Sequence, residues 1–140
     1  MTRAARLMSG LILILVPTIE FGGRFLLMQL TVSAHGYTDN LVREDFLRAG
    51  HAHAGVIVLL SLIGQVLADH ANLPAGLVWL VRIALPISAM LVSAGFFLAI
   101  PTAEATHPGG MVALVYAGAV LLAVTVLTLA TGLIRAPRAG

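Results

Sequence analysis

Two histidines stand one residue apart where the chain turns continuously apolar, in the run Arg48-Ala49-Gly50-His51-Ala52-His53-Ala54-Gly55. Neutral imidazole is a ligand for transition metals and for haem iron, and it is costly inside a bilayer unless it has a partner. Successive helical residues are about 100° apart, so His51 and His53 point about 200° apart. A regular helix therefore cannot bring both to one small ion, which takes an i, i+4 pair. The spacing gives one histidine per face, each with a different partner.

Haem accounts for the neighbours as well. Ala52, Ala54 and Gly55 leave the room that a flat macrocycle needs to approach a helix. A low-spin haem takes one axial histidine on each side of the plate. One helix cannot supply both, so the second comes from another helix or another subunit. The competing reading is a pair of interfacial residues, bonded to water and to loop carboxylates such as Glu44 or Asp45.

Other polar residues fall within or beside apolar sequence. Glu20 and Arg24 are one turn apart in the first apolar segment. They can form an internal ion pair, or Arg24 can reach a haem propionate and Glu20 can carry a proton or ligate a metal. His35, Glu104 and His107 lie in connections, where with His51 and His53 they could bind copper or another divalent ion. Arg82 snorkels or pairs with Asp69. Gln65, Ser88, Ser93, Thr125 and Thr128 are suited to hydrogen bonds within and between helices.

The elements that must position these groups follow from composition. The chain has 140 residues, 59% hydrophobic and only 10% charged, with a net charge of +2. That little charge marks an integral membrane protein. Four segments are long enough to cross a bilayer, at residues 7–32, 45–68, 75–100 and 110–134. The second segment's apolar run opens at His51, and caps at Thr38, Asp39 or Asn40 allow its helix to begin earlier. Pro17 and Pro86 fall inside helices and should kink them. The expected fold is an all-α four-helix transmembrane bundle forming a single domain.

Arg3 and Arg6 precede the first helix and Arg135 and Arg138 follow the last, so both termini are expected on the cytoplasmic side. The first segment is too long for a signal peptide and contains Glu20 and Arg24, so it reads as a retained helix. His35, His51, His53, Glu104 and His107 then share the extracytoplasmic end, with His70 alone at the other. The chain has no cysteine, which excludes disulfides, thiolate metal sites and iron–sulfur clusters. Its few charges give no sign of nucleic-acid binding.

The His51-Ala52-His53 motif, near the extracytoplasmic start of an even-numbered helix, resembles the haem-ligand helix of the haem–copper oxidase superfamily. There the motif lies on the tenth of twelve helices, and its histidines bind two different haems from opposite faces. The twelve helices form three four-helix arcs, and the tenth is the second of its arc, as His51-Ala52-His53 opens the second of four here. The resemblance implies a homotrimer that rebuilds the twelve-helix ring, with His51 of one subunit and His53 of the next sandwiching haem b at each interface. This chain lacks a copper-binding histidine cluster, and Tyr37 and Tyr116 have no context matching the family's histidine–tyrosine signature.

The leading expectation is a b-type haem protein of the cell membrane that transfers or senses electrons, a possible oxidoreductase with a separate redox partner. Its site would comprise His51, His53, Arg24 and Gly55. A copper or divalent-metal protein using His35, His51, His53, His107, Glu104 or Glu20 is the alternative. A small transporter component built on Glu20 and Arg24, or an assembly subunit without a cofactor, also remains open.

Overall fold

The computed structural model describes residues 1–31 and 39–137. It contains four helices, α1 (Arg3–Thr31), α2 (Leu41–Leu67), α3 (Ala75–Ala99) and α4 (Val112–Ile134), and no strand among the described residues. All four are long and apolar enough to cross a membrane. The chain is thus a helical multi-pass membrane protein.

Helix α2 begins ten residues before the histidine pair. The Asn40 side chain accepts from the Arg43 backbone N–H at 3.1 Å, capping the helix, and its amide donates to the carbonyls of Ala103 and Ala105 in the α3–α4 connection. Leu47 then packs on Leu26, beside Phe25 and Phe97. The helix thus starts four residues before the expected 45, at the expected Asn40 cap, because this end has both that cap and an apolar seam.

Neighbours in sequence are neighbours in space. Contact runs from α1 to α2, α2 to α3 and α3 to α4, while α1 and α4 do not meet among the described residues. The bundle is consequently open, a staggered row with α1 on one side of the central α2–α3 pair and α4 on the other. A cleft of 270 Å³ lies where α1 leans over that pair, lined by Thr18, Ala54, Ala89 and Ser93. A second, of 410 Å³, is lined by His53, Phe96, Val115 and Ala119 where α4 leans over the other side.

Glycines set the tightest contacts. A Cβ on Gly95 would lie 2.6 Å from the Val115 nitrogen, and one on Gly118 2.9 Å from the Val92 nitrogen. Backbone therefore meets backbone along α3–α4, the small-residue mode in which membrane helices associate. Both helices of the central pair are tied by polar bonds as well. Helix α3 runs on through Pro86, which lacks the N–H that would bond the Arg82 carbonyl. Gln65 of α2 donates its amide to that carbonyl at 3.0 Å.

One end of the row is fastened by charge. Arg82 is 2% exposed and ion-pairs with Asp69, while donating to the Gln65 carbonyl at 3.0 Å and side-chain oxygen at 3.2 Å. Asp69 also accepts from the Thr2 N–H and hydroxyl, both at 2.7 Å. The beginning of α1, the α2–α3 connection and the end of α4, where Asn72 bonds the Arg135 carbonyl, all lie at this end.

Candidate functional site

His51 and His53 do face opposite sides of α2. His51 turns to α1, where Gly22 and Gly23 open a recess: a Cβ on Gly23 would lie 3.2 Å from its Cε1 and 3.3 Å from its Nε2. The ring is half-buried there and makes no hydrogen bond with a described residue. His53 turns instead to the α4 side, in the groove with Phe96 and Val115. Its ring lies 5.1 Å from the Phe96 ring at an interplanar angle of 30°.

The His53 Nδ1 lies 2.7 Å from the Ala49 carbonyl oxygen. A carbonyl only accepts, so this bond assigns the proton to Nδ1 and leaves the Nε2 lone pair open. Metal-ligating histidines are oriented in this way, one nitrogen donating to a carbonyl and the other free for the ligand. His70 makes the same local bond to the Val66 carbonyl at 3.0 Å, but on an exposed turn beyond the end of α2. What sets His53 apart is that it stands in an apolar groove. Gly55, one turn from His51 on the other face of α2, has open space beside it: a Cβ there would meet nothing within 4 Å.

The remaining residues divide by depth. His51 against Gly22–Gly23 places Glu20 and Arg24 at the level of the histidine pair. Glu20 and Arg24 are exposed and do not pair with each other, so of the two readings their spacing left open the internal ion pair is not formed. The i, i+4 register permits such a pair without requiring it, because the side-chain rotamers decide. Ser93 on α3 lines the α1-side cleft, and its buried hydroxyl has no partner among the described residues. Glu104 and His107 are exposed in the α3–α4 connection. His35 lies outside the described residues. Among the described residues no group of three or more histidine or carboxylate side chains could hold a metal ion.

Sequence reasoning missed two features. The Gly22–Gly23 recess was visible as a glycine pair, but nothing local says which residue fills it. The tie from Thr2 to Asp69 joins positions too far apart in sequence to be foreseen, although the Asp69–Arg82 pair itself was.

Fold and site together define a four-helix, multi-pass membrane protein with histidine, glutamate and arginine at one level of its apolar span. No family model, curated protein or solved structure matches the chain.

Proposed function

We propose that this protein is a small relative of the haem–copper oxidase core that binds b-type haem through His51 and His53, in a homotrimer whose termini are cytoplasmic. The observation that carries the reading is His53: its tautomer leaves Nε2 open within an apolar groove. On the His53 side the residues present suit the group. The groove beside His53 is lined by apolar side chains such as Phe96, Val115 and Ala119, and imidazole would supply the axial bond.

His51 offers its nitrogen on the opposite face, against a stretch of α1 that has no side chains, so a flat group reaches it only if α1 yields along Gly22–Gly23. Arg24, exposed on α1, would meet a haem propionate of a neighbouring copy rather than of its own chain. Haem bound with two histidines supplies one-electron transfer, which suits electron transport or redox sensing with a separate partner.

The test is a reduced-minus-oxidised absorption spectrum of the detergent-purified protein, with metal analysis on the same sample. Sharp low-spin bands are expected, with iron near one per chain. His51→Ala and His53→Ala should each abolish them, and His70→Ala should leave them intact. If both single variants keep a normal spectrum, the axial assignment is wrong. Copper without iron would instead make the histidines a metal site.

A further inference from the structure

Helix α1 carries two ionisable groups on the side that its own chain leaves uncovered. Glu20 and Arg24 are exposed and form no ion pair with a described residue, and Phe21 between them is 73% exposed. In a helix that crosses a membrane, charges at this position line an interface or an aqueous cavity and do not face hydrocarbon. The groove around His53 is uncovered too, on the far side of the α2–α3 pair. Because α1 and α4 do not meet, these two faces stand at opposite edges of the row.

They also stand at one depth. His51 on Gly22–Gly23 sets Glu20 level with His53, and His53 shares its groove with Phe96 and Val115. Two faces that differ in chemistry but match in depth suit a head-to-tail contact, which closes into a ring where the rotation between copies divides a full turn. A two-fold contact of α1 with α1 would cover these residues with their own copies and leave the His53 groove uncovered. Head-to-tail contact instead sets these polar side chains at the open edge of the groove that holds His53. The exposed wall formed by Ala119 and Ala123 is shallow enough to admit those side chains.

We infer that the Glu20–Arg24 face of α1 docks into the His53 groove of a second copy of this chain, so that each groove is completed by its neighbour's α1. This rests on the oligomer of the reading above but not on its haem.

The chain has no cysteine, so introduced cysteines report contacts cleanly. Full-length Phe21→Cys and Ala119→Cys chains with different tags would be co-expressed and treated in the membrane with a short bifunctional thiol reagent. The expected result is a product containing both tags, and from the doubly substituted chain a ladder that stops at the ring size. Adding Arg24→Gln should lower the yield several-fold. Phe21→Cys cross-linking to itself as well as to Ala119→Cys, a yield indifferent to Arg24→Gln, or no inter-chain product at all would each overturn the inference. A colourless preparation that cross-links as expected keeps this interface and ends the haem reading; a red one that does not cross-link does the reverse.

Discussion

At the scale of single residues, His51 is positioned by what α1 lacks. Gly23→Val would push side-chain atoms into a ring already 3.2 Å from the first carbon, so overpacking should cost about 1–3 kcal/mol. Thermal unfolding in detergent would show it, and Gly55→Ala, which meets open space, is the matched control. Asp69 offers a pH-dependent test. Burial alone would push its carboxyl up, but hydrogen bonds from the Thr2 N–H and hydroxyl and from Arg82, together with the guanidinium charge, bring it from 3.8 down to about 2. A depressed acid stabilises the fold above its unfolded value, and that contribution, of the order of 2 kcal/mol, is lost as the pH falls from about 4 to about 2. The unfolding midpoint should drop across that interval and stay flat there in Asp69→Asn. At neutral pH Asp69→Asn should itself cost about 3–5 kcal/mol, since it leaves the Arg82 charge buried without its counter-ion.

Among the elements, the α3–α4 seam depends on Gly95 and Gly118. Gly95→Leu should force the two helices apart, and the loss should appear as a lowered midpoint and as faster amide exchange in α4. Gln65→Leu tests the repair of the proline gap: it leaves the Arg82 carbonyl without a donor and should cost about 1–3 kcal/mol. The helices themselves were legible in the sequence, because hydropathy and bilayer thickness fix a span with little reference to the rest of the chain. The opposite facing of His51 and His53 was equally legible, since it follows from helical periodicity alone. What decides whether a ring is covered is the register of α1 on α2, and no local pattern encodes that. The same holds for Glu20 and Arg24, whose spacing permits a pair that their side chains do not make, whereas the early start of α2 was legible in the candidate caps at residues 38–40, of which Asn40 is the one used.

For the molecule as a whole, the central pair α2–α3 is the frame and the outer helices are attached to it from opposite sides. Asp69 and Thr2 hold the start of α1 to that frame, so the far half of α1 is the part most dependent on an external neighbour. If a second copy supplies that neighbour, hydrogen exchange along residues 20–31 should slow as the protein is concentrated from its monomeric range, while α3 amides stay unchanged. The open row has a further consequence. A closed bundle uses up its own edges, whereas this one ends in two that differ, and nothing within a single chain fixes how many chains follow one another before the first meets the last. That number is set by a wedge angle at a single seam, so one bulky substitution there could change the size of the assembly while every chain keeps its fold.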